Sequence, residues 1–149
     1  MAREATFNAL GSMGVVVGAR VVDAFAGSGA IGIEALSRGA AHCTFIEQDR
    51  AALVVLQRNL TTLGLESRST VLRGDVVALI GQVEADLVLA DPPYDFANWD
   101  VLLGRVTASL VVAESDRGLD AEDPPIVGWE IVRVKRYGRA FVSFLKRLA

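Results

Sequence analysis

Asp91-Pro92-Pro93-Tyr94 is the stretch of this chain best equipped for chemistry. It directly follows Leu87-Val88-Leu89-Ala90, an apolar run that reads as a buried strand. A carboxylate, two consecutive prolines and an aromatic ring at a strand end offer fixed hydrogen-bond acceptors beside a flat apolar face. Such a surface suits an exposed NH2 group on a planar heterocycle. The amino group of guanine or adenine is a poor nucleophile, because its lone pair is spread into the ring. Hydrogen bonds from its two N–H groups to fixed acceptors favour a pyramidal nitrogen with a localised lone pair. Asp91 supplies one acceptor and the backbone carbonyl of Pro92 a second, held in place by the restricted proline backbone. Tyr94 is placed to stack on a base that has left its helix or loop. The plainer reading is a strand-ending turn with an ordinary aspartate. It requires all four residues to coincide by chance beside a glycine-rich turn.

That turn is Asp23-Ala-Phe-Ala-Gly27-Ser-Gly29-Ala-Ile-Gly32, between a strand and a helix. Gly27 and Gly29 allow the backbone to turn tightly and to approach a ligand closely, and Gly32 lets the helix pack close to the sheet. The helix N-terminus then presents free N–H groups to a carboxylate or phosphate. Glu47, some twenty residues past the glycines, ends a second strand and is placed to bind ribose hydroxyls. That position fits a nicotinamide nucleotide as well as an adenosyl group; a surface carboxylate in the Glu47-Gln48-Asp49 cluster is the simpler alternative. Asp75, after a third strand, can accept from an adenine amino group, cap the helix that starts at Val76, or do both. Together the two motifs point to methylation of an exocyclic base nitrogen. His42 has no companions at metal-ligand spacing and reads as structural, and Cys43 reads as core. No metal site is expected, and there is no serine–histidine pair or Walker-type lysine.

Strands alternating with helices must position these motifs. A helix is predicted over 2–10 with Gly11 as its stop, then a strand over 19–24 and a helix over 30–37 closed by Gly39. A strand over 43–46 precedes a helix that Asp49 caps and that runs to Leu63, with Gly64 just beyond. Strands follow over 70–72, 85–90 and 109–113, with helices over 76–80 and 98–107. Residues 130–135 and 139–145 alternate around Tyr137-Gly138 as a closing hairpin. The expected fold is α/β: a doubly wound, Rossmann-like sheet of seven strands, mostly parallel, with a C-terminal antiparallel hairpin. The acidic, proline-containing segment 116–125 is expected to be an exposed loop.

With 149 residues and 52% hydrophobic content, one domain spanning 1–149 is expected. No apolar run reaches the roughly 18 residues that span a bilayer, and no basic-then-apolar leader is present, so no membrane partner is expected. The single cysteine cannot form an internal disulfide, which fits a reducing cytoplasm. Net charge is −3, mildly against a nucleic-acid binder taken alone. Yet residues 131–149 carry six basic side chains (Arg133, Lys135, Arg136, Arg139, Lys146 and Arg147) and no acidic one. This basic end on an acidic body is either a phosphate-contacting patch or a pair of strands whose cations guard a sheet edge.

The motifs resemble those of class I methyltransferases that use S-adenosylmethionine. More narrowly, the chain resembles the RsmD-like bacterial 16S rRNA (guanine-N2)-methyltransferase family. The resemblance lies in Arg3-Glu-Ala-Thr-Phe-Asn8, Asp23 to Ala40, Phe45-Ile-Glu-Gln-Asp49 and Leu89-Ala-Asp-Pro-Pro-Tyr94. It implies that the loop Gly27-Ser28-Gly29 holds the methionine part of the donor, Glu47 the ribose, and Asp75 and Val76 the adenine, with Asp23, Ala26 and Gln48 also among the donor-binding residues. It implies that Asp91, Pro92, Pro93 and Tyr94 hold the target amine, with Asp91 also bordering the donor. The implied partner is ribosomal RNA or an assembling small ribosomal subunit, and a monomer is expected. Family members usually carry an arginine-rich, glycine-containing segment ahead of the Arg3 stretch, and this sequence begins almost at that stretch. Three other activities are open at this point: a DNA adenine-N6 methyltransferase, a non-catalytic cofactor- or RNA-binding remnant, and a nicotinamide dehydrogenase. The double proline and the lack of a hydride-site acid argue against the last.

Overall fold

In the computed structural model, residues 3–122 and 125–149 are described, and seven strands form one sheet in the order β3-β2-β1-β4-β5-β7-β6. The strands are β1 (Arg20–Ala24), β2 (His42–Glu47), β3 (Ser69–Arg73), β4 (Leu87–Ala90), β5 (Leu110–Ser115), β6 (Trp129–Tyr137) and β7 (Ala140–Arg147). The first five run parallel, and β7 pairs antiparallel with both β5 and β6. The helices are α1 (Arg3–Met13), α2 (Ala30–Ser37), α3 (Arg50–Thr62), α4 (Val76–Leu79) and α5 (Trp99–Arg105).

Both sheet faces are covered, so the inner strands are apolar throughout rather than alternating; all four residues of β4 are buried. On one face Phe7 and Leu10 of α1, Leu36 of α2 and Leu56 of α3 pack with Val21, Phe45 and Leu89. On the other, Val76 of α4 and Leu102 and Leu103 of α5 pack with Val22, Ile46 and Val88. Among the described residues no helix is long and apolar enough to cross a membrane.

Successive strands first step outward, β1 to β2 to β3, and the chain then returns to place β4 on the other side of β1. The strand order therefore reverses between β1 and β4, the place where open α/β sheets hold ligands beyond the carboxyl ends of their strands. Ala24 pairs with Ile46 on one side and with Ala90 on the other, so the segments after β1, β2 and β4 leave the sheet at one level.

The predicted elements are all present, and two details differ. Helix α1 continues through Gly11 to Met13, and the left-handed residue that ends it is Gly14, at φ 69°. A glycine inside a helix costs only about 1 kcal/mol, and the buried Phe7 and Leu10 on this helix outweigh it. Segment 116–125 is not wholly exposed: Leu119 is buried against the α5 face, in a short 3-10 turn. Asp123 and Pro124 of that segment, like Ala2 of the first helix, lie outside the described residues. The later strand of the hairpin, β7, takes the inner position, because Val142, Ser143, Phe144 and Leu145 are all buried. The more polar β6 is left at the edge, where its cations discourage edge-to-edge pairing.

Candidate active site

The turn after β1 is held by a carboxylate at each end. Asp23, fully buried within the sheet, accepts a hydrogen bond from Gly32 N–H (2.9 Å) and fixes the first turn of α2. Glu47 accepts from Gly27 N–H (2.8 Å) through one oxygen and from Gln48 and Asp49 N–H (2.9 and 2.8 Å) through the other. It thereby ties the glycine loop to the turn after β2. Phe25 and Gly27 both adopt left-handed backbone, at φ 60° and 57°. For Phe25, a bulky residue, that conformation is unusual and marks a functional segment.

Two cavities open beyond these strand ends. The larger, about 480 Å³, is bordered by the Ala26-Gly27-Ser28 loop, by Arg3 of α1 and by Asp91. The smaller, about 90 Å³, lies between Glu47, Gln48, Asp75, Val76 and Pro93. Phe25 lines both. Its ring meets Phe96 edge-on at 5.1 Å, and Phe96 in turn meets Trp99, which is buried in the α5 face. The aromatic stack braces the wall between the cavities.

The candidate donor-site residues thus come together, with two distinctions. Asp23 lies beneath the loop rather than on a cavity wall, so its part is to shape the turn. Gly29 has its own packing role: at φ 86°, an added Cβ would come within 2.3 Å of Leu56 Cδ1. Gly27 is different, because a Cβ there would meet nothing within 4 Å. Its backbone faces the open cavity. Asp75 caps α4 by accepting from Ala78 N–H (3.1 Å) while also lining the small cavity, so its two anticipated positions coincide.

At the other strand end, Pro92 is buried, Pro93 walls the small cavity, and Tyr94 is 68% exposed. The Pro93 carbonyl accepts from Phe96 N–H (2.9 Å), which closes the turn. Burial, then a hydrogen bond and charge from Glu114, push the Asp91 carboxyl up to about 7. Arg3, Phe25 and Glu114 escaped the sequence reading. Glu114 carried a signal: it follows the apolar Leu110-Val111-Val112-Ala113 just as Asp91 follows β4. Phe25 and Arg3 carried none, because a left-handed phenylalanine and a helix placed over a cavity are properties of the folded backbone. His42 bonds Thr70 Oγ1 (2.9 Å) across β2 and β3, and Cys43 is buried, as expected of structural residues. Among the described residues no three metal-ligating side chains converge.

Burial pushes Asp23 from its ordinary 3.8 to about 8, with Gly32 N–H pulling it down and Asp91 and Glu47 pushing it further up. The folded protein therefore retains a proton that the unfolded chain releases above pH 4. This contribution to stability is complete below that pH and is lost as pH rises through about 8. Unfolding free energy is expected to fall between pH 5 and 8, and Asp23→Asn, which keeps an oxygen for Gly32, should flatten the slope. Urea denaturation across that range measures it; an unchanged slope in the variant would remove Asp23 as the cause.

The family model described as Conserved hypothetical protein 95 matches residues 1–146 of this chain. The chain belongs to this family. Conserved hypothetical protein 95 relatives include YlbH of Bacillus subtilis, a provisionally named rRNA methyltransferase, at 35% identity over 97% of this chain and 84% of its own length. The Ribosomal RNA small subunit methyltransferase D of Escherichia coli K12 is 43% identical over 62% of this chain, and the match spans 46% of that enzyme. The solved structure of yhhF from Escherichia coli, described as a methyltransferase, superposes with a TM-score of 0.84 at 32% identity, covering 99% of this chain and 84% of that one. This Conserved hypothetical protein 95 member is an RsmD-like methyltransferase with S-adenosylmethionine as methyl donor. Its residues fit that donor. An open glycine face and an arginine border the cavity suited to an amino-acid end, and two carboxylates with an apolar wall border the one suited to an adenosine.

Proposed function

We propose that this chain transfers the methyl group of S-adenosylmethionine to the exocyclic N2 of a guanine in 16S ribosomal RNA. One observation carries the reading: Asp91 of the Asp-Pro-Pro-Tyr turn lies on the wall of the same cavity as the glycine loop, at the β1/β4 switch point. When bound, the donor supplies an electrophilic methyl on a positively charged sulfur. Ala26, Gly27 and Ser28 hold its amino-acid end, Glu47 and Gln48 its ribose, and Asp75 and Val76 its adenine. Asp91 and the Pro92 carbonyl accept from the target amine and aim its lone pair at the cavity. Tyr94, exposed beside them, stacks on the unpaired base. Holding both partners in line is the main source of rate. The setting is the bacterial cytoplasm, where an assembling small subunit presents the RNA.

A basic groove supports an RNA partner. Arg133, Lys135 and Tyr137 of β6 face Asn8, Ser12 and Met13 of α1 across a groove of about 510 Å³. The same helix reaches the donor cavity through Arg3, so the groove and the catalytic cleft share one wall. Not all of the basic end is free for RNA: Arg147 donates to the Val106 and Ala108 carbonyls and stacks over Trp129 at 4.5 Å, so it is structural.

The test is methyl transfer to naked 16S RNA, to 30S particles and to duplex DNA, with the modified nucleoside identified by mass spectrometry. N2-methylguanosine from an RNA substrate is expected. N6-methyladenine from DNA would replace this reading with the adenine one. Tight donor binding with no turnover on any nucleic acid would favour a non-catalytic module. In the same assays Arg133→Glu with Lys135→Glu should weaken RNA binding and reduce the slope of log affinity against log salt by about 1 per lost phosphate contact. An unchanged slope would take the groove out of the RNA path.

A further inference from the structure

One side chain pins the turn after β4 to the wall of the donor site. Between the buried Pro92 and the buried Trp99, the residues Pro93, Tyr94, Asp95, Ala97 and Asn98 are all exposed, and Phe96 alone packs into the body of the protein. Phe96 also closes the turn. Its N–H donates to the Pro93 carbonyl (2.9 Å), which leaves Tyr94 and Asp95 at the tip. Its ring lies between two others, with centroids 5.1 Å from Phe25 at 66° and 5.1 Å from Trp99 at 89°. Both contacts are edge-on, the arrangement that aromatic quadrupoles favour, and together they hold the ring from two sides.

The two neighbours differ in what they can transmit. Trp99 is buried at the start of α5 and is a fixed support. Phe25 is half-buried, lines both donor cavities and sits in left-handed backbone. A donor that occupies both cavities passes Phe25 on the way from one to the other, and what steadies Phe25 steadies Phe96. Phe96 is not among the residues lining either cavity, so it feels the donor only through Phe25. We propose that Phe96 is a positioning residue that couples the donor site to the base-receiving turn: donor contact with Phe25 holds Phe96 in place, and Phe96 sets the turn that presents Tyr94 and the Pro92 carbonyl. The inference rests on the reading that this turn receives the base. Coupling of this kind is reciprocal: the donor raises affinity for the RNA by the same factor as the RNA raises affinity for the donor.

Amide hydrogen exchange over residues 94–98, followed by mass spectrometry, tests the coupling without turnover. The probe is S-adenosylhomocysteine, the donor after loss of its methyl. In the parent, exchange in the turn should slow at least about fivefold when this probe saturates the site. In Phe96→Ala the turn should exchange fast with and without the probe. Calorimetry should show its affinity for the probe changed no more than a few-fold, while kcat/KM for RNA falls at least about tenfold. Phe96→Tyr, which keeps the ring, should restore the probe-dependent slowing. A parent turn that exchanges equally with and without the probe overturns the proposal even if no variant folds, because Phe96 is then a static anchor. So does probe-dependent slowing that persists in folded Phe96→Ala. If the parent turn responds to the probe but the protein methylates no RNA, the proposed reaction fails while the coupling stands.

Discussion

Replacing Asp91 with alanine is expected to lower methyl transfer by on the order of 10²–10³-fold or more, with donor affinity changed no more than a few-fold. The asymmetry follows from position. Asp91 occupies one border of the large cavity, whereas the loop Ala26-Gly27-Ser28, Phe25 and the Glu47 and Asp75 carboxylates make most of the wall around the donor. The amine has far fewer contacts to lose. Without Asp91 its lone pair stays delocalised, and Pro92 alone cannot orient it. In the parent, the rate should rise with pH through about 7, because the carboxyl accepts a hydrogen bond best when ionised and burial with Glu114 holds it protonated below that point. Single-turnover transfer measured beside calorimetric titration of the donor separates the two effects. Parent-like turnover in Asp91→Ala would end the proposed role.

Gly32→Ala is expected to damage the fold rather than the chemistry. A Cβ at Gly32 would lie 2.4 Å from Phe45 Cε1 and 2.7 Å from Cys43 Sγ. Both partners are fully buried on β2, in the cluster that packs with α2. Overpacking of this kind costs about 1–3 kcal/mol or more, out of a total of about 5–15 kcal/mol for a domain. Tm should drop by roughly 3–10 °C. Gly27→Ala reverses the pattern. Its φ of 57° makes any side chain strained by about 1–2 kcal/mol, but the added methyl enters open space at the cavity. It should therefore lose donor affinity as well as some stability. Thermal unfolding and calorimetry on both variants test the contrast. A Gly32→Ala protein as stable as its parent would show that α2 can ride up from the sheet and that the packing argument is wrong.

Much of the fold was legible because local signals agreed. The Asp49 cap is realised by its bond to Ala52 N–H (2.9 Å), and Gly39 and Gly64 end their helices in left-handed backbone at φ 106° and 68°. The turn residues Tyr137-Gly138 correctly marked a hairpin, with Gly138 in left-handed backbone at φ 61°, although β7 is buried along Val142 to Leu145 rather than at alternate residues. Gly11 misled as a stop signal, since the helix ends where the backbone turns left-handed, and Gly14 supplied that turn. The segment around Leu119 misled in the other direction, because composition averages over a loop while one apolar side chain can still anchor it.

The site divides along the same line. Residue types and order by themselves marked the glycine loop, its acidic partners and the Asp91 turn as candidates, since each is a short motif whose backbone and side-chain chemistry is local. Only the tertiary structure decided that Asp23 supports the loop from below, that Phe25 walls both cavities, that Arg3 borders the larger one, and that Glu114 emerges on the strand next to Asp91. These are relations between strands and helices distant in sequence. They arise from the β1/β4 reversal and the β4/β5 register, and residues as far apart as 91 and 114 carry no local trace of the register that brings their strand ends side by side.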